Sequence, residues 1–69
     1  MIEVFKTDVQ SEEQASTLAE KLSLLFPKTK INFDLEDCDK ILRVEGNTII
    51  PTKIIETLSS NGYDCSILE

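Results

Sequence analysis

The side chains best suited to chemistry in this chain are two thiols, Cys38 and Cys65. A thiolate is a nucleophile and a ligand for soft metal ions, so either cysteine could react or bind a metal. The N-terminus has no basic-then-apolar secretory signal, and two cysteines in that setting are more often free thiols than a disulfide. The sequence contains no histidine, which removes the commonest general base and the commonest metal ligand together.

Carboxylates surround Cys38 and form an acidic run. They are Asp34, Glu36, Asp37 and Asp39. Such a run can attract a hard cation, but this one lacks the glycine and the ligand spacing of a calcium loop. We interpret it as a solvated turn. Its charge also discourages edge-to-edge pairing of the strand before it, which we expect to be an outer strand.

No residue pattern typical of an enzyme is visible. Ser11 has no histidine to activate it, there is no Gly-rich phosphate loop, and no two carboxylates have a predictable separation. We therefore expect that the protein is not an enzyme and that it uses no cofactor.

Composition and charge narrow the classes of partner. The chain has 69 residues and a formal charge of −6, with 41% apolar and 29% charged residues, as in a globular protein. Its seven Lys and Arg residues are scattered, which argues against nucleic acid and anionic lipid as partners. The charge favours a basic protein partner, although solubility alone is a sufficient reason for it. No apolar run approaches the ~20 residues of a membrane span, so we expect a cytoplasmic protein, whole or part of a longer chain.

The chain is predicted to begin with a strand. Met1–Thr7 mixes β-branched and aromatic residues with polar ones, as strands do. Ile2 and Val4 share one face and Phe5 falls on the other. A bulge or a partly exposed aromatic side chain is therefore expected here.

A helix is predicted next, and its start has the clearest signal in the sequence. Ser11 and Gln14 form the S-x-x-Q version of a capping box, which begins a helix at Ser11. Apolar residues then recur at three- and four-residue steps, as on a helix that packs against a sheet. They are Ala15, Leu18, Ala19, Leu22, Leu25 and Phe26. Pro27 ends the helix.

Two strands follow. Lys30–Glu36 alternates strictly, with Ile31, Phe33 and Leu35 expected to point inward. A polar turn leads to Ile41–Glu45, the returning strand. Its inward residues are predicted to be Leu42 and Val44.

A second helix and a last strand complete the chain. Pro51 suits the first turn of a helix, where its missing N–H would have no partner. Gly62 is expected to supply the left-handed cap after Asn61, and Tyr63–Leu68 to form the strand. The buried face of the helix is predicted to consist of Ile54, Ile55 and Leu58.

The element order is β-α-β-β-α-β. This order predicts a ferredoxin-like α+β fold, in which a four-stranded antiparallel sheet carries two helices on one face. No linker, low-complexity stretch or repeat beyond that pseudo-duplication is visible. We expect residues 1–69 to form a single domain.

Several residues resemble the heavy-metal-associated (HMA) domains of copper chaperones and metal-transporting P-type ATPases. Residues 51–58, Pro-Thr-Lys-Ile-Ile-Glu-Thr-Leu, are similar to that family's Pro-x-Lys-Ile-x-x-x-Ile/Leu run, and residues 61–64, Asn-Gly-Tyr-Asp, to its Gly-Tyr-Asp turn. The apolar spacing of the first helix and the position of Pro27 also match. The resemblance extends over essentially the whole chain and implies the same fold.

The metal-binding motif of that family is absent. The resemblance implies a Met-x-Cys-x-x-Cys loop where the first strand meets the first helix, in which two thiolates bind a soft ion such as Cu(I). Val9 falls on the methionine of this motif, Ser11 on the first cysteine and Gln14 on the second. A hydroxyl and a neutral amide are poor ligands for soft metals, so we expect no metal in this degenerate loop. The helix cap is a sufficient role for Ser11 and Gln14.

Cys38 and Cys65 remain candidates for a relocated metal site. In this fold the hairpin of Cys38 and the start of the last strand, near Cys65, lie at the same end as the degenerate loop. Two to three strand spacings, ~10–14 Å, are expected between them, too far for a disulfide and hard to bridge by one ion within one chain. We expect Cys65 to be a small buried hydrophobe and Cys38 an exposed thiol.

Two functions remain open at this point. The first is a metal-independent interaction module that docks a protein partner, through a sheet edge or through the loop end around Val9, Ser11, Cys38 and Tyr63. The second is a copper- or zinc-handling protein that uses ligands outside the family motif. The candidate ligands are Cys38, shared between two molecules, and Cys65. A monomer or a weak dimer is expected in both cases.

Overall fold

The computed structural model describes residues 1–68, and its six elements have the predicted order. They are β1 (Ile2–Thr7), α1 (Glu12–Leu25), β2 (Thr29–Asp34), β3 (Ile41–Gly46), α2 (Pro51–Ser60) and β4 (Cys65–Ile67). The four strands form one antiparallel sheet in the order β2-β3-β1-β4. With both helices packed on one face of that sheet, the ferredoxin-like α+β prediction is confirmed.

The main core lies between the sheet and the two helices. Phe5 on β1 pairs in register with Leu42 on β3, and both side chains are fully buried. Leu22 from α1 and Leu58 from α2 pack against them. Residues distant in the sequence thus meet in one cluster, which holds the two helices on the sheet.

The orientation of β1 differs from the sequence expectation. Its pairing with β3 runs without a bulge from Ile2 to Lys6, and Phe5 is buried, whereas Ile2 is 54% exposed on the open face of the sheet. Since side chains alternate along a strand, only one of the two faces can turn toward the helices. Burying the large aromatic ring removes more apolar surface from water than burying Ile2 would.

A second, smaller core cluster lies at one end of the sheet. Its buried members are Val9, Ala15 and Leu18, and Phe33, Leu35 and Tyr63 pack against it while half-buried. This cluster supports the start of α1 and the loop that precedes it.

Helix α1 begins as predicted and ends one residue before Phe26. Ser11 is the N-cap, and Phe26 donates its N–H to the carbonyl of Leu22 at the other end. Leu25, predicted on the buried stripe, is 61% exposed. The reason is its position as the last helical residue, since Phe26 packs against the core in its place.

Helix α2 also follows its sequence signals. Pro51 is its first residue, and Ile54 and Leu58 are buried. Gly62 has a φ of +88°, the left-handed conformation expected of a glycine after a helix. The N–H of Tyr63 returns to the carbonyl of Leu58 at 3.0 Å, which closes this cap.

Strands β2 and β4 are shorter than predicted. β2 pairs with β3 only as far as Asp34, opposite Ile41, because the chain then enters the hairpin loop. β4 pairs with β1 over three residues, from Cys65 to Ile67. Among residues 1–68, no helix is both long and apolar enough to span a membrane.

Candidate functional site

The candidate residues gather at one end of the sheet, around Thr7. The N–H of Thr7 donates to the carbonyl of Asp39 at 3.1 Å, in the β2–β3 loop, and its hydroxyl donates to the carbonyl of Lys40 at 2.6 Å. On its other side Thr7 pairs in register with Cys65. The loop before α1, the β2–β3 loop and the start of β4 therefore meet at this end, as the topology predicted.

The two positions that match the family cysteines are occupied by a helix cap. The Ser11 hydroxyl oxygen accepts from the N–H of Gln14 at 3.2 Å. The Gln14 side-chain oxygen accepts from the N–H of Ser11 at 3.3 Å and from that of Gln10 at 3.0 Å. The capping box is confirmed. The oxygens of both side chains accept hydrogen bonds from backbone N–H groups that have no partner within the helix.

The side chain of Val9 does not lie on the protein surface. Its side chain is fully buried in the smaller core cluster, and its N–H donates to the Thr7 hydroxyl at 3.3 Å. The expectation that Val9 contributes to a docking surface at the loop end is therefore wrong. An apolar side chain beside Ala15 and Leu18 gains more from burial than from exposure to water.

The β2–β3 loop brings together a group with metal-ligand chemistry. The Cys38 Sγ and one carboxylate oxygen each of Asp37 and Asp39 lie within 4.8 Å of one another. Asp37 and Cys38 are exposed and Asp39 is half-buried. From the sequence, the Cys38 thiol and the acidic run were interpreted as separate features. Their adjacency in the order Asp-Cys-Asp was the signal that could have joined them.

The shape of this loop comes from its own hydrogen bonds. The Asp37 carboxylate accepts from the N–H of Asp39 at 2.9 Å, as in an Asx turn. The N–H of Lys40 then donates to the Asp37 carbonyl at 3.0 Å, and Lys40 takes a positive φ of 49°. The turn therefore brings residues 37 and 39 close together on either side of the thiol.

One ion pair touches the same loop. The Lys6 ammonium lies 3.9 Å from the Asp39 carboxylate, and the Lys6 side chain is 59% exposed and that of Asp39 38% exposed. An exposed pair of this length contributes little to stability because water competes for both charges. A cation that binds Asp39 would therefore displace Lys6 at small cost.

Cys65 differs from Cys38 in its surroundings. It is half-buried, packs against the main core cluster, and burial raises the pKa of its thiol from 9.0 to about 12. The neutral thiol thus dominates at pH 7, which disfavours both metal binding and reaction. Both cysteines are free, and the strand that carries Thr7 lies between Cys65 and the loop of Cys38. Two strand spacings amount to about 10 Å.

Tyr63 lies between the two core clusters. It packs against both and is half-buried, so its ring has a structural role and only part of it is accessible. The next residue, Asp64, donates its N–H to the Asp8 carboxylate at 2.8 Å. This bond ties the chain before β4 to the loop before α1.

Two surface grooves adjoin these loops. The larger, of about 500 Å³, lies between α1 and β2. The smaller, of about 300 Å³, is lined by Lys6, Thr7, Asp8, Asp64, Cys65 and Ser66. The larger groove reaches Glu36 and therefore ends next to the loop that contains Cys38.

Comparisons with known proteins support the fold. No protein-family profile matches the chain, and no curated protein sequence is a significant match. The structure is similar to a solved structure described as a CsoZ metallochaperone, with a TM-score of 0.76 over 100% of this chain and 97% of that chain. At 22% sequence identity this likeness is one of fold. It agrees with the HMA-like fold that the sequence resemblance implied.

Proposed function

We propose that this protein handles a metal ion and binds it in the β2–β3 loop, through Cys38 and its neighbours Asp37 and Asp39. The observation that carries the proposal is the clustering of the three ligand atoms within 4.8 Å. In a tetrahedral site two ligands of one zinc ion lie roughly 3.3–3.8 Å apart, given metal–ligand bonds of about 2.0–2.3 Å. Rotation of the three side chains would have to bring the atoms from within 4.8 Å to that spacing.

The donor set suggests which ion is bound. One thiolate with two carboxylates is a mixed sulfur and oxygen set, which suits Zn(II) better than Cu(I), an ion that prefers soft ligands alone. Zn(II) is usually four-coordinate, so the loop supplies three ligands and leaves one position for water or for a donor from a second molecule. An open position of this kind fits a cargo ion that is passed on.

The likeness to a metallochaperone gives independent support. That protein shares the fold over nearly its whole length. In this chain the loop that would carry the family's thiolates is a helix cap, and the β2–β3 loop lies at the same end of the sheet. Metal handling at this end therefore requires only a change in which loop supplies the ligands.

Metal-independent docking of a protein partner is the second candidate function. The groove between α1 and β2 favours it, because the groove offers a binding surface without any metal. We also propose that the protein is not an enzyme, since its sequence lacks histidine and any recognisable nucleophile–base pair. Metal titration separates the two candidate functions.

The test is titration of the full chain with Zn(II), and separately with Cu(I), under reducing conditions while amide NMR shifts are recorded. We expect saturable shifts at residues 37–40 with Zn(II), at one ion per chain or one per two chains. Cys38→Ser should abolish them. Cys65→Ser is the matched control and should leave them unchanged, because the Cys65 thiol is half-buried and neutral. Absence of saturable shifts, or equal shifts in Cys38→Ser, would reject metal handling by this loop.

A further inference from the structure

The outer edge of β2 is available for strand pairing. β2 is the first strand in the sheet order and pairs with β3 on one side; within residues 1–68 no strand pairs with its other side. Alternate backbone N–H and C=O groups of an edge strand point outward and can accept an added strand. β2 has six residues, whereas β4 at the opposite edge has three. Of the two edges, β2 is therefore the longer template.

The groove of about 500 Å³ runs along this edge, between β2 and α1. On the helix side it is lined by Glu12 and by three small residues, Ala15, Ser16 and Ala19. On the strand side it is lined by residues 31–36. The small side chains leave space beside the strand that larger residues at those helix positions would fill.

The strand side of the groove offers apolar surface. Ile31, Phe33 and Leu35 line it, and each is half-buried, so part of each side chain remains accessible from the groove. Burial of these accessible parts by a bound chain would contribute binding free energy. The groove therefore combines a backbone edge with apolar contacts, as sites for strand addition do.

The charges around the groove indicate which kind of segment fits. The charged residues that line it are all acidic: Glu12, Asp34 and Glu36, each exposed. One cation lies at the end of the strand, where the Lys40 ammonium donates to the Leu35 carbonyl at 3.1 Å. A second ammonium, that of Lys30 on β2, is exposed but does not line the groove. The three lining carboxylates outnumber these two ammonium groups, which favours a positively charged ligand. A second copy of this chain carries the same acidic edge and a net charge of −6, so it is repelled.

We propose that the α1–β2 groove binds an extended, basic segment of a partner protein, which adds to the sheet as a strand beside β2. Its main chain pairs with the outer edge of β2, alternate side chains pack between Ala19 and Phe33, and its Lys or Arg side chains meet the acidic rim. The binding does not require a metal ion. Because the groove ends at Glu36, the bound segment lies next to the metal-ligand candidates of the β2–β3 loop.

The probe is a synthetic peptide of alternating Lys and Val, about nine residues long so that it exceeds the length of β2. Added to the isotope-labelled full chain without metal, it should cause saturable amide shifts along residues 29–36 and at Ala15–Ala19. The affinity should fall as salt is added, because exposed charges are screened. A peptide of alternating Glu and Val is the charge control. A Lys–Val peptide with Pro at its centre should bind more weakly, since Pro cannot donate to the strand.

Three variants locate the site. Asp34→Lys removes an acidic group from the rim, and Ala19→Leu fills the groove; each should weaken binding at least about tenfold, or about 1.4 kcal/mol. Glu56→Lys is the matched control, because it makes the same charge change on an exposed position of α2 outside the groove. It should leave the affinity within about twofold.

Four results would overturn the proposal. The first is a set of shifts that maps to β4 or to the open face of the sheet instead of β2. The second is equal binding of the acidic and basic peptides. The third is an equal loss of peptide affinity in Glu56→Lys and Asp34→Lys, because that result would indicate attraction to the overall charge of the protein. The fourth is a set of concentration-dependent shifts along β2 without peptide, which would show that a second copy occupies the groove. A chain that does not bind Zn(II) can still give the expected result in all of these peptide experiments. The metal-binding proposal and the peptide-binding proposal can therefore fail separately.

Discussion

The Thr7 hydroxyl donates a 2.6 Å hydrogen bond to the carbonyl of Lys40, although the two residues are 33 positions apart. The same oxygen accepts from the N–H of Val9 at 3.3 Å. Thr7 is only 8% exposed, so water does not compete well for these bonds. This single hydroxyl therefore connects the loop before α1 to the loop that contains Cys38.

Thr7→Val is expected to lower the free energy of unfolding by about 1–3 kcal/mol. Valine has a similar shape but no hydroxyl, so the Lys40 carbonyl and the Val9 N–H lose a buried partner. Urea unfolding followed by circular dichroism measures the change. Thr7→Ser keeps the hydroxyl and should cost clearly less. Equal losses in the two variants would mean that the methyl group matters more than the hydrogen bonds.

Ser11→Ala is expected to cost about 1 kcal/mol of stability, because the N–H of Gln14 loses its side-chain acceptor. The measurement is the shift in the urea midpoint at unchanged slope. Ser23→Ala, on an exposed interior position of α1, is the control and should change stability by only a few tenths of a kcal/mol. Ser11→Asp should restore most of the loss, since Asp also caps helices well.

Stability should fall at alkaline pH in part through Cys65. Burial raises the pKa of its thiol from 9.0 to about 12 in the folded chain. Above pH 9 the unfolded chain ionises this thiol while the folded chain keeps it neutral, which favours unfolding. The contribution of Cys65 is therefore fully present below pH 9 and is lost as the pH rises toward about 12.

The check is to measure urea midpoints between about pH 8 and about pH 11 for the wild type and for Cys65→Ala. The wild type should lose stability more steeply with pH than the variant. Cys38→Ser is the matched cysteine substitution at an exposed position. Identical slopes in the wild type and Cys65→Ala would contradict the raised pKa.

Placing two thiols in the loop before α1 should create Cu(I) binding. In a background of Cys38→Ser and Cys65→Ser, the pair Ser11→Cys and Gln14→Cys should bind Cu(I) in competition with a chelator, since two thiolates suit this ion. The background alone should not bind, because an apolar side chain, a hydroxyl and an amide are its only groups at Val9, Ser11 and Gln14. Tight binding by the background would contradict the role of this loop as a helix cap alone. Binding by Ser11→Cys without the second thiol should be much weaker.

Much of the fold was predictable because its signals are local. The capping box of Ser11 and Gln14, Pro51 at the start of α2 and Gly62 after it all act within a few residues, and the structure confirms each of them. The alternation in β3 likewise predicted that Leu42 and Val44 are buried. Such patterns depend on backbone geometry and on the period of the element, both of which short stretches of sequence encode.

The misjudged positions lie where distant segments compete for the same space. Phe5 rather than Ile2 and Val4 faces the helices, because the choice depends on what β3 and α2 place opposite β1. Val9 lies in the loop end that was considered for docking, but its side chain is buried because α1 covers it with Ala15 and Leu18. The local sequence pattern around Phe5 and Val9 does not show which residues pack against them.

The candidate site likewise combines features that the sequence predicts with features that only the structure shows. The sequence alone determined that Ser11 and Gln14 cap a helix, that Cys38 lies in an acidic turn, and that the elements follow the order β-α-β-β-α-β. Residue type and short-range spacing are sufficient for each of these features. Only the tertiary structure decided that Thr7 holds this loop against β1 and that a groove opens beside β2. These features depend on distances between side chains, and the packing of the sheet and helices sets those distances. No short stretch of sequence encodes such long-range packing.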